Sequence, residues 1–141
     1  MNSFKNINDL QIRFNDVDIA GHVNNAVYQY YYDFGKLRFF DDVFKNKIDW
    51  QKEGFVLLKI EIEYLAPIYL HDEIEVLTKI SEIKNKSLVI DQIIREKGNN
   101  SETAIKSKAS SVMVAYDYIA KSSMQIKTNW KKMIEDYTQF I

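Results

Sequence analysis

The sequence predicts an α+β fold in which long β-strands wrap a single long α-helix. Three observations predict it. Residues 25–44 place apolar and aromatic side chains around most of a helical circumference, four stretches of strand character follow, and short polar turns separate them. The 141 residues fit one domain, 1–141. A domain near this size buries roughly 70% of the surface its unfolded chain exposes, so a substantial core is possible.

Met1 to Asp9 is polar and reads as a lead-in. Leu10, Ile12 and Phe14 then alternate with polar neighbours as in a half-buried strand, and the turn residues Asp16, Asp18 and Gly21 stop that strand abruptly. Asn24 or Asn25 is expected to cap the helix that follows, because an Asn oxygen accepts from a first-turn N–H that has no partner within the helix. From Asn25 to Phe44 this helix would be roughly 30 Å long at about 1.5 Å per residue. Gln29, Asp33 and Lys36 form one narrow polar stripe, while Val27, Tyr28, Tyr30, Tyr31, Tyr32, Phe34, Leu37, Phe39 and Phe40 cover the rest, so the helix is expected to be largely enclosed. A glycine inside it, Gly35, points to close approach of another backbone.

Asn46 to Gly54 reads as a connection with a helical turn at Asp49 to Lys52. The period then changes. Phe55 to Tyr64 starts as a continuous apolar run and ends alternating, with Ile60, Ile62 and Tyr64 on one face, and Pro67 ends or bends it for want of an N–H. Glu73 to Ile83, Ser87 to Lys97 and Thr103 to Tyr118 read as three more long strands, joined by Lys84 to Lys86 and by a hairpin signal at Gly98-Asn99-Asn100. Trp130, Ile134, Tyr137 and Ile141 recur at helical spacing after Thr128, giving a C-terminal helix expected on the outside of the sheet or on another subunit.

The composition narrows the function. With 46% hydrophobic and 28% charged residues and a net charge of −1, neither disorder nor a broad basic surface for nucleic acid is indicated. The chain has no cysteine, which removes disulfides, thiolate metal sites and a cysteine nucleophile. No signal-peptide pattern and no apolar run near the ~20 residues of a membrane helix are present, so a cytoplasmic protein without membrane association is expected.

Chemistry is expected in the loop from Asp16 to Asn25. Aspartates are common in turns because they bond to nearby N–H groups, and Asp16 and Asp18 fit that role. A carboxylate beside the positive end of a helix can also act on a carbonyl whose oxygen accepts from helix N–H groups, joining base chemistry to electrostatic stabilisation. His22 reads equally as a base or as a residue that holds the loop. A calcium loop starting at Asp16 fails, since its fifth and twelfth positions hold Ala20 and Val27, whereas a hard-metal site of Asp16, Asp18 and His22 completed by His71 stays open. Lys84 and Lys86 flank a turn that is either plainly solvated or suited to a phosphate. The aromatic helix reads as core rather than as a base-stacking platform, and no nucleotide loop or hydrolase elbow motif is present.

Taken together, Arg13-Phe14-Asn15-Asp16-Val17-Asp18, Gly21-His22-Val23-Asn24-Asn25 and Tyr28 resemble the signature of hotdog-fold acyl-CoA thioesterases of the 4-hydroxybenzoyl-CoA thioesterase and YbgC-like group. Glu63-Tyr64-Leu65-Ala66-Pro67 and Lys84-Asn85-Lys86-Ser87-Leu88-Val89 extend the resemblance more loosely along the chain. It implies a hotdog fold, a long antiparallel sheet wrapped around the helix, with two subunits paired edge to edge as a homodimer or homotetramer and active sites at the interface. It also implies that Asp18 attacks the thioester or activates water, that the backbone N–H of Asn25 polarises the carbonyl, and that Lys84, Lys86 and Ser87 contact the coenzyme A phosphates. His22 is placed with the catalytic group, Asp16 and Tyr28 with the substrate-binding one. The substrate would be an acyl-CoA or acyl-carrier-protein thioester, with no cofactor beyond the coenzyme A of the substrate. Other readings of the same fold are an acyl-thioester hydratase and a non-catalytic acyl-CoA or acyl-carrier-protein binding module; the regulators of that last kind add a DNA-binding segment, for which the residues ahead of Leu10 are expected to leave no room.

Overall fold

The computed structural model describes residues 4–138. Six strands form one antiparallel sheet: β1 (Asn6–Leu10), β2 (Glu53–Tyr64), β3 (Ile74–Ile83), β4 (Ser87–Glu96), β5 (Ile105–Asp117) and β6 (Ser122–Ser123). The spatial order is β1-β3-β4-β5-β2, with β6 added to the end of β5. The sheet curls around helix α1 (Val27–Phe44), and a second helix, α2 (Thr128–Thr138), closes one end. This is the hotdog arrangement that the sequence resemblance implies.

The long strands lie close to their expected positions, but the first one does not. Strand β1 occupies Asn6–Leu10, inside the stretch read as a lead-in, while Phe14–Asp16 is a short 3-10 turn. The reason is chemical. The inward side chains of β1 are Asn6, Asn8 and Leu10, so the buried face is largely polar and the apolar alternation misleads. Buried Asn6 is satisfied by Asp42 Oδ2 at 2.7 Å and the Tyr137 hydroxyl at 3.1 Å, which accept from its Nδ2. The Met1 end of the lead-in lies outside the described residues.

Helix α1 is less enclosed than its composition implies. Tyr28, Tyr31, Tyr32, Phe39, Phe40 and Phe44 are buried, yet Tyr30, Phe34 and Leu37 are 71%, 41% and 57% exposed. Conversely Lys36, read as part of the polar stripe, is buried, while Gln29 and Asp33 of that stripe are exposed. Gly35 marks a close approach to side chains rather than to a backbone. A Cβ there would sit 2.7 Å from Gln92 Nε2 and 2.9 Å from Val76 Cγ2. The same Gln92 Nε2 donates to the Tyr32 carbonyl and to Thr78 Oγ1, each at 3.0 Å, and so pins the helix to the sheet.

Helix α2 does not lie outside the sheet. Trp130 and Ile134 are buried in the same cluster as Phe39, Phe44, Phe55 and Ile90, on the side of the sheet that holds α1. Ile141 of the expected helical spacing lies outside the described residues. Gly98, at φ +71°, lies in an eight-residue excursion, 97–104, with a 3-10 turn at Glu102–Ala104 rather than a tight hairpin. Lys84 to Lys86 is tight, closed by Lys84 N–H donating to the Ser87 carbonyl at 2.8 Å. Strand β2 is an edge of the sheet, and a bulge between Leu57 and Lys59 turns Leu58 outward.

Candidate active site

The loop between β1 and α1 folds into a miniature hairpin. Val17 bridges Val23, the Asp18 N–H donates to the His22 carbonyl at 2.8 Å, and the Gly21 N–H donates to the Asp18 carbonyl at 2.9 Å. Gly21 takes φ +81°, a conformation that glycine adopts without strain. Within this turn Asp18 Oδ1 accepts from the N–H groups of Ala20 at 2.9 Å and His22 at 3.3 Å. Its other oxygen, Oδ2, makes no hydrogen bond among the described residues, and the side chain is exposed. The carboxylate is thus held by one oxygen and presents the other.

The loop is fastened at three points. Asn24 N–H donates to the Asp16 carbonyl and Val23 N–H to the Ile68 carbonyl, each at 2.8 Å, and His22 bridges Tyr69. Asp16 serves as the anchor: its Oδ2 accepts from the Tyr31 hydroxyl at 2.7 Å and the Arg13 N–H at 2.9 Å. Burial and the Asp16 carboxylate both push the Tyr31 pKa upward, so its hydroxyl remains a donor throughout the range in which the protein is handled. Asp16 Oδ2 thus has two partners within the protein.

Neither Asn24 nor Asn25 takes the N-cap place expected of them: it falls on Ala26, whose side chain offers no acceptor, and Asn24 bonds one position ahead of the helix. Asn24 Oδ1 accepts from the Ala26 N–H at 2.9 Å, and the Asn24 carbonyl accepts from Val27 N–H at 2.9 Å. The Asn25 N–H has no acceptor among the described residues. Asn25 lies one residue ahead of the N-cap of an 18-residue helix, on the segment that joins the Asp18 loop to the helix's positive end. A free carboxylate oxygen and a free helix-start N–H on one short segment can act together on a carbonyl, one at the carbon and one at the oxygen.

His22 and Tyr28 each pack against a tyrosine. The His22 imidazole packs edge-on against Tyr69 at 5.0 Å, and its link to Asp18 runs through the backbone N–H rather than the ring. Tyr28 is buried and meets Tyr64 edge-on at 4.9 Å; burial raises its pKa. Tyr64 itself donates from its hydroxyl to the Asn25 carbonyl at 3.3 Å. Tyr64 and Tyr69 are the site residues that sequence reasoning missed. Tyr64 was legible only as a strand end, and the pairing of Tyr69 with His22 spans too much sequence to leave a local signal.

Lys84, Lys86 and Ser87 are not brought to this loop. They sit at the β3–β4 turn, next to Ala115, Ile126 and the far end of the sheet, whereas the loop adjoins the Ile74 end of β3. The ten-residue β3 separates the two by about 30 Å. Among the described residues no group of three or more His, Cys, Asp or Glu side chains is placed to hold a metal ion. No described helix is long and apolar enough to cross a membrane.

Comparison with known proteins gives a consistent picture. A profile of the thioesterase-like superfamily matches residues 12–129. The acyl-CoA thioester hydrolase YbgC of Escherichia coli O6:H1 is 26% identical over 110 residues, 77% of this chain and 79% of that protein. The chloroplastic acyl-acyl carrier protein thioesterase ATL2 of Arabidopsis thaliana is 30% identical over 112 residues, 78% of this chain and 59% of that protein. In fold, the crystal structure of a thioesterase complexed with coenzyme A and Zn from Thermus thermophilus superposes with a TM-score of 0.84 at 24% identity, covering 99% of this chain and 98% of that one.

Proposed function

The chain belongs to the thioesterase-like superfamily, and on that premise we propose that it hydrolyses acyl-CoA thioesters through Asp18 and the Asn25 N–H. The observation that carries this reading is the state of the two groups: Asp18 Oδ1 is fixed by two loop N–H groups while Oδ2 is free, and the Asn25 N–H, on the same loop just ahead of α1, has no acceptor among the described residues. The thioester oxygen accepts from that N–H as negative charge develops on it, and one such donor is typically worth about 10²- to 10³-fold in rate. Asp18 Oδ2 either takes a proton from a water that adds to the carbonyl carbon or adds itself, giving an anhydride that water then opens. In both cases a C–O bond forms, the C–S bond breaks, and coenzyme A leaves as a thiolate that takes up a proton. A thioester has less resonance stabilisation than an ester, so one carboxylate and one or two donors suffice.

The coenzyme A portion calls for a second subunit. Among the described residues strand β2 pairs with β5 alone, so its outer edge offers a ladder for β2 of another copy. An antiparallel β2–β2 pairing about the Leu58 bulge sets the Glu53 end of one strand beside the Tyr64 end of the other. Ser87 pairs Val114, which pairs Val56, so the lysine turn lies toward the Glu53 end. Such a dimer carries Lys84 and Lys86 of the partner subunit toward the Asn25 end of this chain, where they would meet phosphates. The relative named for acyl carrier protein makes carrier-bound thioesters the second substrate class, and the reaction belongs in the cytoplasm.

The test is thiol release by the purified protein across short-chain, long-chain and aromatic acyl-CoAs. Release from at least one class is expected. Binding of an acyl-CoA with no release from any, and none from carrier-protein thioesters, would replace hydrolysis with a binding module.

A further inference from the structure

Lys36 is anomalous. It is 4% exposed, and its Nζ has no hydrogen-bond partner among the described residues. The nearest charge, Asp33 Oδ1, lies at 3.8 Å, beyond hydrogen-bond range. A buried ammonium with three donors and no acceptor is costly, and a lysine with a route to solvent would extend its head into water. Burial lowers its pKa accordingly, with Asp33 opposing the shift.

The side chain lines a cavity of about 280 Å³ bounded also by Asp33, Phe40, Trp50, Phe55 and Met113. A second orphan lies close by on the same wall. Ser111 Oγ is buried without a partner, and Ser111 stands two residues before Met113 on β5, hence on the same face of the sheet. Lys36 thus lines a pocket between α1 and the sheet, and Ser111 is a second unpartnered polar group on the sheet face that supplies Met113 to it.

That pocket is in line with the proposed reaction centre. Gln29, Asp33 and Lys36 follow one another at helical spacings of four and three, so they share one face of α1, and Asn25 lies just ahead of the first turn of that helix. Within α1 this face runs roughly 10 Å along the axis from Gln29 to Lys36, at about 1.5 Å per residue. Strand β2 runs beside it: Tyr64 bonds to Asn25 at one end, Phe55 lines the cavity at the other, and Ile60 and Ile62 lie half-buried between. An acyl chain whose carbonyl sits at Asn25 and that runs along this face ends at Lys36.

We propose that the cavity at Lys36 receives the far end of the acyl chain and selects aliphatic acyl groups that carry a hydroxyl there. The hydroxyl oxygen accepts from the Lys36 ammonium and its proton is donated to the Asp33 carboxylate, filling the 3.8 Å gap between them. A carboxylate at that position meets the negative charges of Asp33 and Asp41, both on the rim, and is disfavoured. This inference rests on the thioesterase reading, since it places the carbonyl at Asn25.

The test compares dodecanoyl-CoA, its ω-hydroxy analogue and its ω-carboxy analogue. Two readouts are taken: kcat/KM for hydrolysis by the wild type and by Lys36→Met, and calorimetric affinity of the same thioesters for Asp18→Asn and for the double variant with Lys36→Met. Wild-type kcat/KM is expected to favour the ω-hydroxy substrate by at least about tenfold over the other two, with the ratio collapsing toward one in Lys36→Met. Affinities are expected to follow the same order. Equal kcat/KM for hydroxylated and plain chains, or a Lys36→Met change that leaves their ratio intact, would overturn the proposal while hydrolysis stands. Selective binding without hydrolysis of any of the three would uphold the pocket and overturn the reaction. Thermal melts confirm that Lys36→Met is folded, as removal of an unpaired buried charge should allow.

Discussion

Asp18→Asn is expected to lose at least about 100-fold in kcat for thioester hydrolysis while its melting temperature stays within a few degrees of the wild type. Both halves follow from the geometry. The amide oxygen of Asn can replace Oδ1 as acceptor for the Ala20 and His22 N–H groups, so the turn that holds the residue survives. What is lost is the charge on the free oxygen, and with it the base or nucleophile; the Asn25 N–H remains to polarise the carbonyl, which sets a floor under the residual rate. A loss below about tenfold in a folded variant would move the chemistry elsewhere, with His22 the next group in the loop.

Trp130→Ala is expected to destabilise the protein by about 3–5 kcal/mol, read from urea unfolding. Trp130 is only 1% exposed and its ring lies 5.4 Å from Phe55 and 6.3 Å from Phe44. It is the main side chain by which α2 joins the core formed by α1 and the sheet. Its removal leaves a void that neighbouring aromatics fill only in part, because Phe40, Phe44 and Phe55 are already packed on one another at 5.5 to 5.9 Å. A cost under about 1 kcal/mol would mean that α2 merely rests on the surface.

The elements most legible in the sequence were those whose pattern is local. The period of α1, the alternation along β2 and the apolar runs of β3 to β5 place those elements within a few residues of their observed limits. A bond from an Asn to the helix start was readable because Asn24 and the Ala26 N–H it accepts from are neighbours, although the N-cap itself falls on Ala26. Other features depend on partners far away in sequence. β1 buries Asn6, satisfied by Asp42 and Tyr137, and no local pattern announces that a polar residue faces inward. Lys36 shares a helical stripe with exposed Gln29 and Asp33, yet Phe55 and Met113 of the sheet lie over it and take it out of solvent. Tyr30, Phe34 and Leu37 look like core and are open, because a sheet of this order covers only part of the helix. Within the site, the Asp18 loop and the helix start were visible as adjacent residues, whereas Tyr64 and Tyr69 reach it through pairings across 39 and 47 positions.

The measurement that bears most directly on the central claim is a crystal structure with an acyl-CoA analogue in which a methylene replaces the thioester sulfur. The account predicts that its ketone oxygen lies about 2.7–3.1 Å from the Asn25 nitrogen, with Asp18 Oδ2 facing the carbonyl carbon directly or through one water. An analogue bound with its carbonyl away from the helix start, or with Asp18 Oδ2 turned from the carbon, would contradict it.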